Sequence, residues 1–152
     1  MGDIWTAVWT DAGKKSRLGP RLLTPHPGEM GRLCDTTTEI VQADRVAIAR
    51  KLAAQTGAFV ALKGARTAIA APDGRAFINP TGNPGMGTGG TGDVLTGLVG
   101  SLLAQGLEPL DALVVGVYCH GRAGDRAAAR KKSQRGLLAR DLIAELPAAL
   151  TF

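Results

Sequence analysis

The sequence predicts an α/β domain, and three observations carry that expectation. Apolar runs of strand length, residues 58–63, 67–71 and 75–79, follow one another with turn residues between them. A longer segment repeats apolar residues at helical spacing, through Val94, Leu95, Leu98, Val99, Leu102 and Leu103. Eight of the 21 glycines crowd into residues 82–100, across the junction between the last strand and that helix, and such density asks for a local cause. Glycine weakens helices and strands, so a dense run is tolerated where backbone needs positive φ or close approach to a ligand.

Composition narrows the classes. At 152 residues the chain suits one domain, able to bury about two-thirds of the surface its unfolded form exposes, so disorder is a poor reading. No apolar stretch is long enough for a membrane span. Residues 1–15 carry Asp3 and Asp11 where a signal peptide would be cationic and then apolar, which gives the expectation of a cytoplasmic protein. Cys34 and Cys119 lie far apart without CxxC spacing or a histidine cluster, so buried free thiols are expected rather than a disulfide or a zinc site. The net charge of +5 raises nucleic acid as a partner, but aromatic residues are only 4% and the basic positions are scattered. The one basic run, Arg126, Arg130, Lys131, Lys132 and Arg135, reads as the end of a solvated helix, so neither nucleic acid nor membrane is expected.

Taken in order, residues 1–19 show no clear periodicity, although 4–9 could make a short strand. Residues 21–24 form a brief extended run closed by Pro25 and Pro27, which puts His26 and Glu29 on a turn. Thr36, Thr37 and Thr38 offer helix N-caps, and Ile40, Ala43, Val46, Ala47 and Ala53 keep helical spacing as far as Gln55, with Gly57 as the stop. The strand 58–63 follows. Pro72-Asp73-Gly74 then turns 67–71 into 75–79 as a hairpin. Beyond the glycine loop, residues 93–104 form a buried helix stopped at Gly106. Glu108 and Pro109 open another through Leu113, Val114, Val117 and Tyr118, and 137–146 make a short amphipathic helix ended by Pro147. There are no repeats or low-complexity segments.

The glycine loop, residues 79–93, runs straight into the apolar helix. The first N–H groups of a helix lack intrahelical partners, and the aligned peptide dipoles add positive potential, so amides between Met86 and Gly92 can surround an anion such as phosphate. The P-loop lysine and the Rossmann fingerprint are both absent. Asp93 at the helix start has two readings: a capping or dipole-stabilised carboxylate, or a base that takes a proton from a substrate hydroxyl beside the phosphate. Lys63, at a strand end, is either solvated or meets phosphate charge. Glu29 reads as a capping partner, His120 as a hydrogen-bonded core histidine and Asp125 as a helix-surface acid.

Three segments together, residues 24–30 (TPHPGEM), 62–64 (LKG) and 79–97, resemble the signatures of the ADP/ATP-dependent NAD(P)H-hydrate dehydratases, a branch of the ribokinase-like superfamily. The resemblance continues through residues 116–121, Gly124-Asp125 and 136–143; Gly31 and Gly87 replace the usual alanines. It implies a ribokinase-like layered α/β/α fold, here a truncated C-terminal part of the domain over residues 20–152 after a poorly matched opening segment, 1–19. It further implies nucleotide-dependent dehydration of (6S)-NADHX and (6S)-NADPHX, the hydrate's hydroxyl leaving as phosphate, with Mg²⁺ as cofactor and ADP or ATP as co-substrate. A homotetramer and an epimerase partner are family expectations.

By position, Asp93 would be catalytic, His26 and Asp93 would contact the hydrate, and Lys63, Gly64, Ala65, Arg66, Thr67 and Gly92 would hold the nucleotide; no metal ligands are assigned. The competing readings are a ribokinase-like small-molecule kinase and an inactive adenine-nucleotide-binding fragment.

Overall fold

A computed structural model describes residues 19–151; the candidate strand at 4–9 lies outside the described residues. A two-residue strand, β1 (Leu22–Leu23), leads into helix α1 (Pro27–Leu33). The turn expected around Glu29 is instead the first turn of α1: Pro27 sits at the start, where its fixed φ suits a helix and its missing N–H costs nothing. The single helix expected over 36–55 is two, α2 (Thr38–Ala43) and α3 (Arg45–Thr56). The break falls at Asp44, whose backbone leaves helical values and whose carboxylate accepts the Ala47 N–H at 2.9 Å, so a local side-chain bond replaces continuation of the ladder. Thr37 caps α2 and Gly57 closes α3, as expected.

Strands β2 (Phe59–Leu62), β3 (Ala68–Ala70) and β4 (Ala76–Ile78) complete a sheet in the order β1-β2-β3-β4. β1 and β2 are parallel, joined by the three helices, and the other pairs are antiparallel. Period-two alternation in β2 divides the core. Val60 and Leu62 pack with Met30, Val41, Leu52 and Ala53 on one face. Ala61, with Ile69 opposite it, packs with Leu95, Val99, Leu113 and Val117 on the other. Helices therefore cover both faces of the sheet, the layered α/β/α arrangement.

The second layer is built from α4 (Thr91–Ala104), α5 (Pro109–Lys131) and α6 (Ala139–Ala149). Pro147 lies inside α6 rather than ending it. Its missing N–H removes one ladder bond, but Leu150 N–H still reaches Leu146 O, and the Arg122 guanidinium holds the carbonyls of Ala149 and Thr151. Three members of the basic run are paired: Arg126 and Arg130 both meet Glu145, and Lys131 meets Asp141, which fastens α5 to α6. Both cysteines are free, with Cys119 buried and Cys34 partly so.

α5 passes close to the glycine loop. A β-carbon at Gly121 would lie 2.7 Å from the carbonyl carbon of Thr81, whereas one at Gly97 would meet nothing within 4 Å. Gly121→Ala is therefore expected to destabilise the fold by about 1–3 kcal/mol, and Gly97→Ala to stabilise it by about 0.5–1 kcal/mol. Urea unfolding of the two variants checks the opposite signs; a neutral Gly121→Ala would contradict the packing described.

Candidate active site at the strand ends

Because β1 and β2 run parallel, Thr24 and Lys63 leave the sheet on the same side, at the carboxyl ends where α/β sheets open a crevice. Both meet α4. The Thr24 and Thr96 hydroxyls are 3.1 Å apart, and the Lys63 ammonium stands 3.2 Å from where a β-carbon of Gly92 would be. The structure thus brings Lys63 and Gly92 together, and glycine at 92 leaves the room the ammonium occupies.

The start of α4 is open to a guest. Its N-cap is Gly90, in a left-handed conformation at φ 87° that favours glycine, and no side chain caps the helix. Residues 89–90 form a turn, and among the described residues the amides of 88–93 make no well-formed hydrogen bond; the first helical bond is Val94 N–H to Gly90 O. The cradle is narrower than residues 86–92, since Met86 and Gly87 spend their N–H groups inside a 3₁₀ turn (Pro84–Met86), on Asn83 O and Pro84 O. Asp93, in the first turn of α4, is exposed, and its carboxylate makes no hydrogen bond or ion pair among the described residues. It is not used as a cap.

His26 is committed to structure. Its Nδ1 accepts the N–H groups of Gly28 (3.1 Å) and Glu29 (3.3 Å), so the ring proton belongs on Nε2, 3.3 Å from Glu29 Oε1. Glu29 Oε2 in turn accepts the His26 N–H at 2.6 Å and lies 3.5 Å from the Lys63 ammonium. This reciprocal capping box links His26 to Lys63 through Glu29, the capping partner expected from the sequence. Burial pushes the Glu29 carboxyl up, but the His26 N–H and the Lys63 charge outweigh it and hold the group below the usual carboxylate range.

Residues 64–67 form the connection from β2 to β3, exposed at 64–66 and half-buried at Thr67. The Arg45 guanidinium donates to the carbonyls of Ala65 and Arg66, and the Thr67 hydroxyl donates to Gly64 O at 3.3 Å. Arg45 was not readable as a site residue, because its partners lie twenty positions away in sequence. His120 is the buried core histidine expected, with Nε2 2.8 Å from Thr91 O. Burial lowers its pKa, against the Thr91 carbonyl that raises it, so the imidazole is neutral near pH 7 and donates from Nε2. Asp125 is not a plain surface acid: it accepts from the Gly82 N–H at 2.8 Å and the Asn83 amide at 2.9 Å.

Unpaired amides at a buried helix, a lysine over the first turn and a free carboxylate make an arrangement suited to anions, one that recurs in several kinds of α/β protein. Comparison with known proteins says which kind. The NAD(P)H-hydrate dehydratase (Carb_kinase) family model matches residues 4–148, and the chain belongs to that family.

The chain is 56% identical over 132 residues to the bifunctional NAD(P)H-hydrate repair enzyme Nnr of Moorella thermoacetica, covering 87% of the chain and 25% of that protein. It is 47% identical over 121 residues to the ADP-dependent (S)-NAD(P)H-hydrate dehydratase of Neisseria meningitidis, covering 80% and 41%. The crystal structure of the Bacillus subtilis ADP/ATP-dependent NAD(P)H-hydrate dehydratase, co-crystallised with ATP/Mg²⁺ and soaked with CoA, superposes with a TM-score of 0.83 at 40% identity. That match covers 88% of this chain and 49% of the other, so the chain spans about half of that relative's length and less of the bifunctional ones. An Enterococcus faecalis ribokinase-like superfamily protein, at 33% identity and a TM-score of 0.71 over 95% of this chain and 50% of the other, shares the fold.

Since the folded-state pKa of Glu29 is depressed, its contribution to stability is present above the unfolded value and is lost as pH falls through the lower folded one. Glu29→Gln is expected to lower the Tm at pH 7, with the difference from wild type closing below about pH 4.3. Thermal melts across that range check this; a difference independent of pH would contradict it.

Proposed function

We propose that this chain carries the nucleotide-handling part of an NAD(P)H-hydrate dehydratase, restoring NADH and NADPH from (6S)-NADHX and (6S)-NADPHX. The observation that carries the reading is the unpaired Asp93 carboxylate beside amides 88–93 that lack acceptors. In this reading those amides and the Lys63 ammonium bind phosphate oxygens, and Gly64, Ala65, Arg66, Thr67 and Gly92 hold the adenosine-phosphate part. The positive helix end and the lysine favour the charge that develops on a transferring phosphoryl group. Asp93 accepts the proton of the hydrate's hydroxyl as its oxygen takes the phosphoryl group, so that phosphate rather than hydroxide departs. His26 offers its Nε2 edge to the hydrate by giving up Glu29.

The donor set of amides and lysine fits the phosphates of ADP or ATP, with Mg²⁺ as cofactor. Among the described residues no cluster of three or more His, Cys, Asp or Glu could hold a metal ion by itself. A site shared between phosphate oxygens, water and one carboxylate, Glu29 or Asp93, is the usual mode for Mg²⁺, which when bound neutralises phosphate charge. We assign residues 20–152 to the C-terminal part of the domain and place the protein in the cytoplasm. No helix among the described residues is long and apolar enough to cross a membrane. A homo-oligomer, tetrameric as in the family, and an epimerase partner belong to the same proposal.

NADHX, Mg²⁺ and either nucleotide, followed at the NADH absorbance band, test the proposal. Asp93→Asn is expected to lower turnover about 10²–10⁴-fold while nucleotide binding persists. Lys63→Met is expected to weaken nucleotide binding about tenfold. Binding without turnover in the wild type supports the inactive subunit, phosphate on a stable product supports a kinase, and normal turnover in Asp93→Asn contradicts the base.

A further inference from the structure

The glycine loop is held at both ends by one helix. At the entrance, the Thr81 hydroxyl donates to Tyr118 O at 2.9 Å, and Asp125 holds two donors at once, Gly82 N–H on Oδ2 and the Asn83 amide on Oδ1. Asn83 passes the constraint on: its Oδ1 accepts the Gly85 N–H at 3.1 Å and its carbonyl accepts the Met86 N–H. Met86 lies against Gly124, where any β-carbon would overlap the methionine side chain. Met86 O and Thr88 O both accept the buried Thr91 hydroxyl, and Thr91 O meets His120 at 2.8 Å. The run Asp125, Asn83, Met86, Thr91, His120 is a closed circuit that begins and ends on α5.

We propose that Asp125 is the positioning residue of the phosphate cradle, fixing the loop so that amides 88–93 are presented before the ligand arrives. A backbone with so many glycines otherwise loses much conformational freedom on binding, and pre-ordering it removes that cost from the binding step. The carboxylate is the right group, because two donors converge on it and charge-assisted bonds are stronger than neutral ones. The proposal rests on the nucleotide reading of the cradle for its effect on affinity, but not for its effect on the loop itself.

The groove bordered by Asn83, Asp125, Lys132 and Gln134, about 430 Å³, gives room for exchanges at this point. In Asp125→Asn two amide groups face each other; in the double variant Asp125→Asn with Asn83→Asp, the donor and acceptor trade places and every bond can be remade. Two measurements on the full chain test this: amide hydrogen exchange over residues 82–92 without ligand, and the affinity of a fluorescent ADP analogue. Asp125→Asn is expected to speed loop exchange and weaken the analogue about tenfold. The swapped pair is expected to bring both within about threefold of wild type.

Should the wild type bind no nucleotide, the proposed function fails while hydrogen exchange still decides the positioning role. Unchanged exchange in Asp125→Asn, or a double variant no better than the sum of its singles, would overturn the proposal. An Asp125→Ala chain that fails to fold leaves both outcomes readable in the isosteric variants.

Discussion

Backbone N–H groups without acceptors at the start of α4 are the constraint around which the molecule is arranged. A helix leaves its first amides unpaired wherever it begins, and most helices spend them on a capping side chain or on water. Here Gly90 supplies no side chain, and the one acidic residue of the first turn, Asp93, makes no capping bond. Keeping these groups both unpaired and ordered requires rigid surroundings, which the rest of the fold supplies.

The layers do this in two ways. Burial of Leu95, Val99, Leu113 and Val117 against the sheet fixes the axis of α4, so its N-terminus faces the carboxyl ends of the parallel strands. Lys63 then arrives at the first turn from β2, steadied by Glu29, whose placement follows from the capping box of α1. On the far side, α5 packs through small residues close enough for Asp125 and His120 to hold the loop by hydrogen bonds. On the proposed function, anion affinity follows from secondary-structure geometry, and selectivity for a phosphoryl acceptor falls to Asp93.

Much of this could be read from residue order. Period-two runs, a Pro-Asp-Gly turn and broad apolar stripes identified the hairpin and the buried helices, and glycine density located the loop, because each is a short-range pattern. The break at Asp44 and the continuation of α6 through Pro147 were missed for a common reason: a local side-chain bond in one case and a tertiary tie from Arg122 in the other overrode propensity. Site residues divide the same way. Asp93 stood out by its place after the glycine loop, Lys63 had two readings and Gly92 came from the family resemblance, whereas Arg45 and Asp125 act on partners twenty and forty-three positions away, and such contacts leave no periodic trace.

Amide chemical shifts, followed while ADP and Mg²⁺ are titrated into the full chain, test the central claim most directly. The account expects the largest changes at residues 88–93, with smaller ones at Lys63 and the 64–67 connection. Shifts confined to another surface, such as the groove beside Lys132, or no change at saturating nucleotide, would contradict it.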